Sequence, residues 1–292
     1  MAAVTYIKCE TSDGFVVVDL DGAPVATGVI RVARKVLLDG AWNLARTTTY
    51  AAASFGLRVS GASGAVNADG DTRDTAVATV IAELAARSEP PVLAMDPGKG
   101  CRPDELTPLA DADPRSDARS APGLLAEGIV AAAQAGLGYL DGATVCIEPG
   151  TVVEHLADAF ATAGATVVEA TDGLATDCDV LCAGSKPGVI DHDNAPTLNT
   201  RVVVPAGPLP VTARGLAVAR RAGIAVLPDF VALAAPLIAA FGPADGATPA
   251  DQIAAAIVAV ADHPEGHFLG ACERAEEFLG SWASIPFGRP LP

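Results

Sequence analysis

The chain has 292 residues, enough for two domains with substantial cores. Half of its residues are hydrophobic and 18% are charged, which excludes an intrinsically disordered protein. A formal net charge of −16 argues against nucleic acid and anionic membranes as partners. No apolar run reaches the roughly 18 residues of a membrane span and no signal peptide begins the chain, so we expect a cytoplasmic protein.

The cysteines and histidines predict neither a disulfide framework nor a metal site. The six cysteines form no CxxC pair, and the four histidines are scattered along the chain. The two histidines at i, i+4, His263 and His267, lack the HExxH context of a zinc site. We therefore expect no bound metal.

The first third of the chain alternates strand-like and helix-like segments. Residues 97–120, rich in Pro, Asp, Arg and Gly, predict a loop or linker, and we place the end of a first domain, 1–120, there. The elements predicted before it are strands over 4–10, 14–20 and 25–32, a helix over 36–53, a strand and loop over 57–63, a helix over 73–86 and a strand over 91–96.

The second half of the chain predicts a parallel sheet with helices on its faces. A buried strand at Val145–Ile147 is followed by a turn, an amphipathic helix and a further strand that ends in acidic residues, the layout of a dinucleotide-binding βαβ unit. Strands and helices continue to alternate up to residue 230, which defines a second domain, 121–230, followed by a helical segment, 231–292. The other elements predicted here are helices over 124–135 and 212–221 and strands over 165–170, 179–184, 201–207 and 224–229.

The turn of the βαβ unit lacks two of the three glycines that let the backbone approach a pyrophosphate. It reads EPGTVV, residues 148–153, with Gly150 as its one glycine and Glu148 and Val153 at the first and third glycine positions. A carboxylate here would repel a pyrophosphate by on the order of several kcal/mol at a poorly solvated site. We therefore predict that this degenerate loop binds no nucleotide cofactor.

The order of segments resembles the Glu/Leu/Phe/Val amino-acid dehydrogenase family, and its leucine and valine branch most closely. This resemblance implies an α/β protein with an N-terminal α/β domain for substrate binding and oligomerisation, a Rossmann-like parallel-sheet domain, and C-terminal helices that pack between the domains. It also implies a homodimer. The stretches that carry it are LARTTTYAAASFGL (44–57), RVSGASGAV (58–66), LAMDPG (93–98), DVLCAGSKPGVID (179–191) and VLPDFVALAAPL (226–237).

At the residues that do chemistry, the chain departs from this family. The resemblance places the carboxylate-binding lysine at Ala51 and the catalytic lysine at Ser63, and no lysine lies between positions 36 and 98. The catalytic aspartate falls at Asp96, which we predict as a proton carrier. Because both lysines are missing, we expect the positive charge beside this aspartate to be lost. Leu209 and Leu233 stand where the family has asparagines.

The candidate substrate-binding residues are polar side chains near these motifs. Arg58 and Ser63 lie in the stretch that resembles the family's glycine-rich loop, and Lys186 follows the end of a predicted strand, where ligands bind in parallel sheets.

Three functions stay open from the sequence. The first is a repurposed non-redox enzyme that acts on an amino-acid-like small molecule in the cleft between the domains. The second is a non-catalytic relative, a pseudoenzyme that binds a metabolite or a protein partner. The third is an atypical NAD-dependent amino-acid dehydrogenase, against which the missing lysines and glycines weigh.

Overall fold

The computed structural model describes residues 5–243, 246–284 and 288–291. The chain divides into two compact units, the first formed by Met1–Arg115 with Phe278–Pro290 and the second by Ser116–Glu277 with Leu291–Pro292. Among the described residues, no helix has both the length and the apolar character needed to cross a bilayer.

The first unit contains a mixed five-stranded sheet in the order β1-β2-β4-β3-β5. Strands β3, β4 and β5 are parallel, while β2 runs antiparallel to both β1 and β4. The elements of this unit are β1 (Thr5–Lys8), β2 (Gly14–Val18), β3 (Val25–Ala33), α1 (Leu38–Ser54), β4 (Ser60–Asn67), α2 (Arg73–Ala85), β5 (Val92–Pro97) and α3 (Thr107–Ala110).

Helix α1 covers one face of this sheet at very short range. A Cβ atom at Gly61 would lie 1.8 Å from the carbonyl oxygen of Ala45, so only glycine allows this approach. The other face packs a larger apolar core that includes Ile30, Val66 and Ile81. The sequence predicted a strand and loop over 57–63, whereas Ser60–Asn67 is one continuous strand, because its small residues fit beneath α1.

A buried ion pair fastens α1 to the sheet. The guanidinium of Arg46 contacts the carboxylate of Asp19, just after β2, at 2.8 Å, and the two side chains are 9% and 2% exposed. Arg46 also donates a hydrogen bond to the carbonyl oxygen of Gly288.

The second unit contains a fully parallel five-stranded sheet in the order β10-β9-β8-β6-β7. Numbered by their order in the chain, the five strands run 2-1-3-4-5, which is one of the common doubly wound orders. The connection from β7 to β8 carries only a 3-10 turn at Gly173–Ala175. The elements are α4 (Leu124–Leu137), β6 (Thr144–Ile147), α5 (Leu156–Thr162), β7 (Thr166–Val168), β8 (Val180–Ala183), β9 (Val202–Pro205), α6 (Ala213–Arg221), β10 (Ala225–Val226), α7 (Asp229–Ala232), α8 (Ala235–Phe241), α9 (Pro249–Val258) and α10 (Gly266–Gly280).

Two segments differ from the sequence-based expectation. Residues 97–120 are not uniformly loop, since they contain α3 and two 3-10 turns, which the proline and aspartate residues at their starts favour. The helix of the βαβ unit begins only at Leu156, because His155 before it adopts a left-handed conformation with φ of 61°.

Candidate functional site

A row of polar side chains crosses the α1 face of the first sheet. Val29 of β3 lies opposite Ser63 on β4 and opposite Asp96 on β5. Because paired residues of adjacent strands point to the same face, Ser63 and Asp96 flank Val29 on that face. Arg31 lies two residues further along β3 and therefore points the same way. The sheet thus brings Asp96 and Ser63, both predicted site residues, together with Arg31, which the sequence analysis missed.

The Asp96 carboxylate has a basic partner. This corrects the expectation that no positive charge lies beside Asp96. Arg115 Nη1 donates to Asp96 Oδ2 at 2.6 Å. This arginine lies 19 residues further along the chain than Asp96. Arg115 lies in the segment 97–120, which shows no periodicity, so the sequence did not predict this contact.

Arg115 is held rigidly, whereas Asp96 is accessible. The Arg115 side chain is 3% exposed, and its Nε and Nη2 atoms donate to the carboxylate of Asp113 at 2.7–3.0 Å. Nη2 also donates to the carbonyl oxygen of Met95 at 3.2 Å. The Asp96 side chain is 48% exposed. A fixed guanidinium therefore orients a carboxylate that a small molecule can reach.

Two other arginines of this region, Arg46 and Arg58, do not belong to the polar row. Arg58 is exposed and lies two residues before the start of β4 (Ser60–Asn67). It is therefore five residues along the chain from Ser63, the member of the polar row on that strand. Arg46 is occupied by its ion pair with Asp19. The structure therefore does not bring Arg58 to the polar row.

The second unit has a polar cluster where its parallel strands end. Glu148 directly follows β6 and is 6% exposed. Its Oε2 atom accepts hydrogen bonds from the backbone amides of Gly184 at 2.8 Å and Ser185 at 3.0 Å, which follow β8. The Ser185 hydroxyl donates to Glu148 Oε1. A side-chain carboxylate thus occupies backbone amides at the edge where ligands bind in such sheets.

The loop after Glu148 has no helical turn where a pyrophosphate would need one. Residues 148–155 are non-helical, and α5 has only seven residues. Gly150 is left-handed with φ of 89°, Val153 is half-buried, and Lys186 is exposed in the loop after β8. The amide groups of a helix N-terminus are therefore not presented at this turn.

A buried acid connects the loops that follow β9 and β10. Asp229 is 2% exposed and accepts a hydrogen bond from the backbone amide of Leu209 at 2.7 Å. Leu209 is held in a left-handed conformation with φ of 56°. Burial raises the pKa of the Asp229 carboxyl to about 6. The role of Asp229 visible here is to fix a strained turn.

A large groove and an acidic triplet lie outside both clusters. The groove, of about 860 Å³, is walled by α4, α5 and α9, with small side chains such as Ala131 and Ala159. Asp191, His192 and Asp193 bring three potential metal-ligand atoms within 4.8 Å of one another. The Asp191 carboxylate already accepts the amides of Asp193 and Asn194, so a local turn accounts for this triplet.

The sequence matches no protein-family model, and no curated protein sequence matches it. Solved structures do match over almost the whole chain. L-tryptophan dehydrogenase from Nostoc punctiforme aligns with a TM-score of 0.68 at 18% identity and covers 96% of both chains. The leucine-bound, hetero-hexameric glutamate dehydrogenase from Thermus thermophilus gives a TM-score of 0.72 at 19% identity, covering 98% of this chain and 90% of its own.

A third match extends the same result. Glutamate dehydrogenase from Plasmodium falciparum aligns with a TM-score of 0.73 at 12% identity and covers 98% of this chain and 84% of its own. The chain therefore has the two-domain α/β fold of the amino-acid dehydrogenases, as its sequence predicted. At these identities the similarity establishes the fold alone.

Proposed function

We propose that this chain is an amino-acid-dehydrogenase-like protein that no longer performs NAD-dependent oxidative deamination. We further propose that it acts on a small amino-acid-like molecule by non-redox chemistry, with Asp96 as the proton carrier. The observation that carries the first part is the occupation of the Gly184 and Ser185 amides by the Glu148 carboxylate.

The residues of the second unit do not fit a dinucleotide. A pyrophosphate is favoured by free amides and by a helix N-terminus, and it is disfavoured by a nearby carboxylate. Here the amides are used internally, the carboxylate is Glu148, and the helix starts eight residues after that carboxylate. We therefore propose that this chain acts without NAD.

The polar row of the first unit supports the catalytic part of the proposal. Asp96 is half exposed, and Arg115 holds one of its oxygens in place. A positioned carboxylate of this kind can take a proton from, or return it to, a substrate atom within hydrogen-bond reach. Neither group needs a cofactor for that step.

Proton transfer without redox chemistry can be measured directly. Amino acids and 2-oxo acids are incubated with the protein in D₂O, and proton NMR follows loss of the signal at the carbon next to the carboxylate or carbonyl. We expect exchange that Asp96→Asn reduces by about 10²-fold or more, since general acid–base catalysis contributes about 10²–10⁴. Asp71→Asn, an exposed acid in the same unit, serves as the control and should exchange like the wild type.

Each contrary outcome points to a different alternative. Exchange that survives Asp96→Asn contradicts the assignment of the proton carrier. No exchange with any compound favours the non-catalytic binding protein. NADH formation with an amino acid would restore the dehydrogenase.

We also propose a homodimer formed through the first unit. The edge strand β1 leaves Tyr6 47% exposed, and edge strands are surfaces on which another chain can pair. The Thermus relative, described as a hetero-hexamer, supports assembly in proteins of this fold. Light scattering should give twice the 29.2 kDa mass of one chain, and a monomer mass would contradict this.

A further inference from the structure

Arg31 is a half-buried cation that has no ion pair in the described part of the chain. Its Nε atom is buried and has no hydrogen-bond partner there. Its Nη2 atom lies 3.4 Å from Ser63 Oγ, a long contact to a neutral group. By contrast, Arg115 on the same face contacts two carboxylates.

An arrangement of this kind is unfavourable for stability. A buried donor that loses its water without gaining a partner costs free energy, and a charged donor costs more. Burial also lowers the pKa of Arg31 from its ordinary value. With 35 acidic residues in the sequence, a pairing carboxylate was available, yet none of the described ones lies within ion-pair distance of this guanidinium. An unsatisfied charge of this type is expected where an external group completes the site.

The surrounding backbone leaves room for the Arg31 side chain. Gly98 continues the β5 ladder, and its amide donates to the carbonyl oxygen of Ile30 at 2.8 Å. A Cβ atom at Gly98 would lie 2.9 Å from Arg31 Cγ. Glycine at this position therefore lets the arginine stem lie across the sheet surface, with its guanidinium beside Ser63.

We propose that Arg31, assisted by the Ser63 hydroxyl, binds the carboxylate group of a small organic acid. A planar guanidinium can bind a carboxylate through two parallel hydrogen bonds, which would satisfy the open Nε donor. This proposal deepens the proposed function and rests on the same polar row. Arg31 takes the binding role that the sequence assigned to Arg58.

The spacing also suits a ligand that reaches Asp96. Two residues along a strand span about 6.6 Å and neighbouring strands lie about 4.8 Å apart, so the Cα atoms of Arg31 and Asp96 are roughly 8 Å apart. A carboxylate held by Arg31 therefore leaves the next carbon atoms of a small acid within reach of the Asp96 carboxyl. The ligand class is thus a short acid with a reacting carbon close to its carboxylate.

The test observes the guanidinium itself. Protein labelled with ¹⁵N-arginine is titrated with pyruvate and L-alanine, and with their uncharged amides, pyruvamide and L-alaninamide. We expect the Arg31 Nε–H resonance to shift with both acids and with neither amide. Arg31→Gln should abolish the response, and Arg31→Lys should weaken binding by about tenfold, since an ammonium cannot bind in a bidentate manner. Arg34→Gln is the matched control, because Arg34 is 88% exposed and paired with Asp69.

A second measurement separates a binding residue from a structural one. Removal of a half-buried charge that has no ion pair should leave the Tm of ligand-free Arg31→Gln unchanged or raise it, whereas loss of a structural arginine would lower it. The proposal is overturned if neither acid shifts the resonance, if the amides act like the acids, if Arg31→Gln still binds pyruvate as tightly as wild type, or if its Tm falls. NADH formation would instead overturn the proposed function and leave the carboxylate site intact.

Discussion

At the scale of single residues, Asp229 makes the stability of the protein depend on pH. Its carboxyl has a pKa raised by burial to about 6, against about 3.9 in an unfolded chain. Between these values the folded chain retains the proton while the unfolded chain ionises. The stabilising contribution is therefore present below about pH 4 and is lost as the pH rises through about 6.

This shift predicts the behaviour of Asp229→Asn. Asparagine keeps an oxygen that can accept the Leu209 amide but cannot ionise. Relative to wild type, the variant should gain on the order of 2 kcal/mol in free energy of unfolding as the pH rises from about 4 to about 7, measured by urea denaturation. Asp158→Asn, an exposed acid, is the control with a flat difference. A flat difference for Asp229→Asn as well would contradict the buried-acid assignment.

The ion pair between Asp19 and Arg46 predicts an unequal cost for two arginine substitutions. Arg46→Met leaves a buried carboxylate without its partner, which should lower the free energy of unfolding by about 3–5 kcal/mol. Arg34→Met removes an exposed ion pair with Asp69 and should cost about 0–1 kcal/mol. Urea denaturation of both variants compares them, and equal costs would show that the buried pair does not hold α1 in place.

At the scale of elements, the Glu148 side chain connects the carboxyl ends of β6 and β8. The Glu148 carboxylate crosses from the end of β6 to the amides after β8, so it adds a side-chain link to the ladder between these two strands. The residues that follow Glu148 are non-helical up to position 155, and α5 (Leu156–Thr162) has only seven residues.

Glu148→Ala tests this description. The amides of Gly184 and Ser185 lose their acceptor, so the variant should be about 1–3 kcal/mol less stable than wild type in thermal or urea denaturation. Sulfate should restore part of this loss by occupying the vacated amides, and it should stabilise Glu148→Ala more than wild type. Glu154→Ala in the same loop is exposed and serves as the control. Equal stability of the two variants would contradict the bridging role.

Most strands and long helices could be predicted, whereas the contacts of the site could not. Apolar periodicity located α1 and α2 to within a few residues of their observed ends, because one face of each is buried. The strand β4 was less visible, since its small residues pack beneath α1 rather than showing apolar alternation. The partners Arg115 and Asp96 are distant in sequence, and no local pattern indicates that packing brings them together.

At the scale of the whole molecule, the two units differ in which polar groups they leave accessible to a ligand. The first unit has a half-exposed carboxylate at Asp96, with Arg31 on the same sheet and Arg115 packed against that carboxylate. The second unit has a parallel sheet, and Glu148 accepts hydrogen bonds from the Gly184 and Ser185 amides where strands β6 and β8 end. We therefore propose that the first unit binds a small molecule and that the second unit binds no dinucleotide.

Calorimetric titration with NAD tests this separation most directly. The wild-type protein is titrated with NAD and with NADH, alone and in the presence of L-leucine, L-valine, L-phenylalanine or L-glutamate, and the same samples are followed for NADH absorbance. We predict no binding heat in the micromolar range and no NADH formation, because internal hydrogen bonds already use the amides and Glu148 repels a pyrophosphate. Micromolar affinity for NAD, or steady NADH production with any of these amino acids, would contradict the account.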